Sequence, residues 1–115
     1  MKILALSRQT LIFAALIVLA PSIAAADSAA EVATRIERHR FTPSEIHVPA
    51  HTLVLLTVTN ADSAPEEFDS PDLNVEKVVA GGSSGVIHLR PLKPGKYRFT
   101  GEFHSDTAFG LVIAQ

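Results

Sequence analysis

The stretch Thr52–Asn60, TLVLLTVTN, places Val54, Leu56 and Val58 on one face and Thr57 and Thr59 on the other. A repeat of two with branched apolar residues on one side describes a half-buried β-strand, not a helix. The surrounding sequence follows the same pattern, as short extended runs cut by turn formers. VATRIERHRF reads as the first strand, ended by TPSE; EIHVP is the second and TLVLLTVTN the third. NADSAPEEFDSPDLN reads as a long irregular segment with two prolines, after which VEKVV is extended or briefly helical. GGSSG breaks the chain, VIHLR is another strand, PLKPGK is a turn and GLVIA closes the domain. In YRFTGEFH the extended pattern predicts Tyr97, Phe99 and Phe103 on one face and Arg98, Thr100, Glu102 and His104 on the other. The sum is an all-β sandwich of about seven to eight strands. No period of roughly 20 to 50 residues repeats, which excludes a solenoid, and no helical period is long enough for a bundle.

The first 26 residues obey different rules. Lys2 and Arg8 make a basic start, LIFAALIVLA is an apolar run, and Ala24-Ala25-Ala26 supplies a small-residue cleavage signal. These are the marks of a removable export signal. The apolar run is shorter than the roughly 20 residues that span a bilayer, and Pro21 interrupts it. The expectation is a signal peptide over 1–26, a single domain over 27–115, and a periplasmic location.

An exported domain of this size commonly leans on disulfides, but this chain has no cysteine. Its stability must come from the core, and a bound metal ion would add to it. The leader holds two basic residues and no acid, so its removal takes the formal net charge from −2 to −4. That sign argues against a nucleic-acid partner, which calls for a basic surface, and is compatible with a cationic ligand. GGSSG lacks the following Lys and Ser/Thr of a phosphate-binding loop and is read as a turn.

FTPSEIHVPAHTLVLLTVTNADS resembles the opening of cupredoxins, in which an F-x-P turn, a strand and a corner lead to a strand ending T-N-x-D. PLKPGKYRFTGEFHSDTAFGLVIA resembles their ending, Pro-Gly-x-Tyr-x-Phe followed by the metal-binding loop and a final strand. PEEF and GEFHSDTAFG look like the cupredoxin-like domains of the EfeO type, associated with bacterial periplasmic ferrous-iron uptake. The resemblance implies a cupredoxin-like Greek-key sandwich. Carried across residue by residue, it puts the second histidine of a blue-copper loop on His104, its cysteine on Gly101 and its first histidine on Glu66. The axial methionine has no counterpart near Thr107–Phe109; Met1 is the only methionine. A type 1 copper centre needs a thiolate and is therefore excluded.

Around that locus the sequence offers Glu66, Glu67, Glu76, Glu102 and His104, with Asp69 as a less certain ligand. Carboxylates with an imidazole suit iron, manganese, zinc or Cu(II), and suit Cu(I) poorly. Glu102 and His104, two apart, share a face if the chain stays extended. Taken alone, EEFDS is an ordinary solvated acidic loop, and the adjacency of the two loops is implied only by the resemblance. Phe68 and Phe103 read as core aromatics. His39, His47, His51 and His88 read as solvent-facing strand residues, with His39 and His47 able to meet across the F-x-P turn as a second site for Cu(II) or Zn(II). Arg35, Arg38 and His39 make the first strand mildly basic, a solvated face.

The resulting expectation is a periplasmic metal-binding protein, for iron or copper as a divalent or trivalent ion, serving a metal-uptake system. Its implied partners are an inner-membrane iron permease complex or another periplasmic protein, and assistance in ferrous-iron handling or oxidation is a further expectation. The alternative is a metal-free interaction module that docks through the acidic loop. Nothing resembles a hydrolase nucleophile elbow, and Ser105 beside His104 has no evident base and orienting partner.

Overall fold

The computed structural model describes residues 2–5, 10–21 and 29–115. The alanines read as the cleavage signal, Ala24–Ala26, lie outside the described residues. Residues 10–21 carry neither helix nor strand, and no described helix is long and apolar enough to cross a membrane.

Among the described residues, nine strands form two sheets. The first sheet holds β1 (Ala30–Glu37), β2 (Arg40–Thr42), β4 (Val54–Asn60) and β7 (Ser84–Leu89) in the order β2-β1-β4-β7. The second holds β3 (Glu45–Val48), β5 (Glu66–Ser70), β6 (Val75–Val79), β8 (Gly95–Gly101) and β9 (Phe109–Ala114) in the order β3-β9-β8-β5-β6. Strands β1 and β4 run parallel, as do β3 and β9, while the other pairings are antiparallel. This is the all-β sandwich that the alternation predicts, with more strands than the sequence reading gave.

The alternation of β4 is realised residue by residue: Val54, Leu56 and Val58 are buried, and Leu55, Thr57 and Thr59 are not. At the centre Phe68 stacks on Phe99 with ring centroids 4.7 Å apart, and Phe41 meets both rings edge-on. Full burial of each such ring contributes about 2–3 kcal/mol.

Three local expectations are corrected. VATRIERHRF is not one strand: Arg38 and His39 take φ of 53° and 58° and turn the chain between β1 and β2. Positive φ at both central residues is what a tight two-residue hairpin requires, and it usually selects Asn-Gly. Here the Asp62 carboxylate holds the turn, accepting the Arg38 N–H at 2.8 Å and the His39 N–H at 3.0 Å. Second, the segment read as irregular contains β5. A glutamate at its first inward position hid the alternation. Third, the chain does not stay extended past Gly101. Glu102–His104 form a 3-10 turn, which leaves Phe103 about half exposed (48%), not in the core.

Candidate metal centre

Along β5, Glu66, Phe68 and Ser70 point inward, and Glu67 and Asp69 lie on the other face. Glu66 is 1% exposed, so its carboxylate must find partners inside the protein. Oε1 accepts the Glu67 N–H at 3.1 Å and the Phe103 N–H at 3.0 Å, and Oε2 lies 2.5 Å from His104 Nδ1. A carboxylate offers only acceptors, so Nδ1 carries the shared proton. The 3-10 turn makes this contact: it folds back after Gly101, whose N–H donates to Ala108 C=O, while the Ala108 N–H donates to His104 C=O.

The ring of His104 is stacked on that of His39, with centroids 3.5 Å apart and planes 15° from parallel. His39 does not meet His47 across the F-x-P turn; its hairpin delivers it to His104. The hairpin is fixed on both sides, by Asp62 on the His39 N–H and by Thr107 Oγ1 donating to the His39 C=O at 2.7 Å. The two backbone N–H groups of His39 and Arg38, with the charges of both histidines, hold the Asp62 carboxyl below the usual aspartate range.

Position 101 is glycine for a visible reason. A β-carbon there would come 2.7 Å from Glu66 Cδ and 2.7 Å from Ala108 Cβ. Contacts that short demand rearrangement, so the Glu66 carboxylate already fills the space of a residue-101 side chain.

The outer face of the second sheet carries a different group. Asp69 stands directly across from Glu76, and Glu67 follows on the same face of β5. Glu67, Asp69 and Glu76 each bring a carboxylate oxygen to within 4.8 Å of the others. Partial burial, then the charges of Glu76, Asp69, Glu102 and Glu66, push the Glu67 carboxyl above its ordinary value. Of the five residues expected from the sequence to form one centre, Glu66 and His104 therefore pair in the interior. Glu67 and Glu76 meet on the outer face together with Asp69. Glu102, exposed on the 3-10 turn, adds charge without joining that group. The sequence reading paired His39 with His47 and missed His104, because the contact spans 65 residues of chain and has no local signature.

The cupredoxin-like domain family matches residues 10–114 of the chain. The protein belongs to the cupredoxin-like domain family. It is 47% identical over 87 residues to an uncharacterised protein of Rickettsia prowazekii (strain Madrid E), covering 76% of this chain and 70% of that protein. Among solved structures it is similar to the metal-binding domain of the Cu(I)-exporting P-type ATPase CopA of Streptococcus pneumoniae D39, determined with Cu(I). That likeness has a TM-score of 0.63 and 13% identity, over 74% of this chain and 84% of that one. It is also similar to the purple cupredoxin of Nitrosopumilus maritimus, with a TM-score of 0.57 and 21% identity over 75% and 99% of the respective chains. Likeness at these identities establishes the fold. Type 1 copper does not fit this cupredoxin-like chain: it has no thiolate, and Glu66 fills the room beside Gly101 that a cysteine side chain would need.

Proposed function

We propose that this cupredoxin-like protein binds a hard cation, iron before copper, at Glu67, Asp69 and Glu76, and serves a metal-uptake system in the periplasm. The observation that carries the reading is the convergence of three carboxylates without a compensating cation. The ion pairs among the described residues are Arg35–Glu37 and Arg98–Asp72, and neither these nor the His104–Glu66 hydrogen bond involves this trio. Oxygen donors of this kind suit iron and manganese, and solvent completes the coordination shell. Glu66 and His104 act here as positioning groups. Oε1 of Glu66 ties the Glu67 N–H to the Phe103 N–H, which joins the strand bearing Glu67 to the turn bearing Glu102. The leader supports export, and the resemblance to ferrous-iron-uptake domains supports a permease complex of the inner membrane as partner.

Anaerobic calorimetric titration with Fe(II), and with Mn(II) as a redox-silent probe, tests the reading. Replacing both Glu67 and Glu76 by Gln weakens binding at least tenfold, about 1.4 kcal/mol. An unchanged isotherm removes the site. A second reading, an interaction module without metal, draws on Phe103 and Phe109, which are 48% and 57% exposed. Elemental analysis of protein isolated from its native compartment separates the two.

A further inference from the structure

His39 and His104 lie outside the carboxylate trio, and the arrangement around them has a chemistry of its own. His104 is held by a buried carboxylate through Nδ1, and in the neutral ring this contact places the proton on Nδ1 and the lone pair on Nε2. Among the described residues no buried side-chain nitrogen or oxygen lacks a partner; Nε2 has none and so reaches the surface. A carboxylate behind one ring nitrogen, with the other nitrogen free, is the arrangement by which proteins orient and strengthen an imidazole that ligates a metal ion. The second imidazole is already within van der Waals contact, on a hairpin whose backbone is pinned by Asp62 and Thr107. The Asp62 carboxylate beside the pair adds negative charge without using a ring nitrogen.

We propose that His104 Nε2 and the imidazole of His39 form a surface site for a borderline divalent cation, Zn(II) or Cu(II), with Glu66 as the positioning residue behind His104. Imidazole nitrogen prefers these ions, whereas the oxygen trio prefers harder ones, so the two sites differ in metal as well as in place. Parallel rings cannot aim two lone pairs at one ion. His39, exposed on its turn, rotates about its side-chain torsions to bind, while His104 stays fixed by Glu66. Solvent supplies the remaining ligands.

The test uses the full chain carrying Glu67→Gln and Glu76→Gln, so that a loss at the oxygen site cannot be mistaken for a loss here. Zn(II) and Cu(II) are titrated by calorimetry, and the histidine rings are followed by NMR. Zn(II) is expected to bind at one equivalent and to shift the His39 and His104 ring signals. His39→Ala, a substitution at an exposed position whose fold is checked by the Tm of the metal-free protein, weakens binding at least tenfold, as does His104→Ala. Glu66→Gln keeps the side-chain volume but offers an amide to Nδ1, so the protonated nitrogen becomes Nε2 and binding falls 10- to 100-fold. Wild-type affinity in His39→Ala, or a neutral His104 whose single proton sits on Nε2 in the unsubstituted metal-free protein, overturns the proposal. Absence of Zn(II) and Cu(II) binding in the double Gln background, with binding present when Glu67 and Glu76 are intact, also overturns it and leaves the carboxylate reading standing.

Discussion

Glu66 occupies with its carboxylate the room that any side chain on Gly101 would need, since a β-carbon there would sit 2.7 Å from Glu66 Cδ. The two positions are therefore a matched pair: a buried acid with three hydrogen bonds, and the absence of a side chain opposite it. Gly101→Ala forces the carboxylate or Ala108 to move and costs about 1–3 kcal/mol. In a Glu66→Ala background the space is open towards Glu66, and the same substitution costs less. A double-mutant cycle read by chemical denaturation should give a coupling of about 1 kcal/mol between the sites. Strict additivity would show that Glu66 is not what keeps position 101 bare.

The outer-face trio makes a prediction about charge. Glu67 binds its proton more tightly in the folded state than an ordinary glutamate, because it is partly buried among Glu76, Asp69 and Glu102. A carboxyl raised in this way contributes stability below its unfolded value and loses that contribution as pH rises through the folded value. At neutral pH the ionised Glu67 is a liability in the metal-free protein. Glu67→Gln should raise the metal-free Tm at pH 7, more at low salt than at high salt. The same substitution should remove the stabilisation that Mn(II) gives the unsubstituted protein, and Mn(II) affinity should fall as pH drops towards the raised Glu67 value. A Tm unchanged at low salt would separate Glu67 from its acidic neighbours.

Asp62 has the opposite sign. The His39 and Arg38 N–H groups and the nearby histidines hold its carboxyl below the usual range. Its contribution is present above the unfolded value and is lost as pH falls through the lowered folded one. Asp72, lowered by the Arg98 N–H and guanidinium, acts in the same direction, so Asp62→Asn should remove only part of the acid-side loss of stability. Asp62→Ala removes both acceptors from a hairpin turn with two non-glycine residues at positive φ. At this partly exposed position a cost of about 1 kcal/mol is expected. Loss of the His39–His104 stack, read from their ring signals, should accompany it.

The fold was legible in the sequence because its signals are local. The alternation of Val54, Leu56 and Val58, the Pro-Gly turn before Tyr97 and the closing GLVIA each mark a strand or a break without help from the rest of the chain. Strand β5 was not legible, because an inward Glu66 looks polar to any reading that equates inward with apolar. The site was legible in its residue types and only partly in its grouping. Glu66 and His104 do come together, as the resemblance implied, but with each other's hydrogen bond satisfied. The face of Glu102 depended on an extended chain, which the 3-10 turn breaks. The partnership of His39 with His104 depends on a turn conformation that Arg-His does not announce.

Asn60, at the end of β4, connects the strand pattern to the site and can be tested by itself. It is 1% exposed and uses its amide fully. Nδ2 donates to the Ala64 C=O at 2.9 Å and the Val79 C=O at 3.1 Å, and Oδ1 accepts the Asp62 N–H at 3.0 Å. The side chain thus fixes the segment that runs from Asp62, which holds the His39 hairpin, to Glu66. Asn60→Ala strands those backbone groups and should cost about 3 kcal/mol. Asn60→Asp has nearly the same shape but cannot donate to the two carbonyls, and should be no better at neutral pH. Asn60→Ser should recover little, since one hydroxyl cannot reach three partners. If the segment is the hinge between the imidazole pair and the carboxylate trio, Asn60→Ala should weaken Zn(II) and Mn(II) binding together, whereas His39→Ala should affect Zn(II) alone.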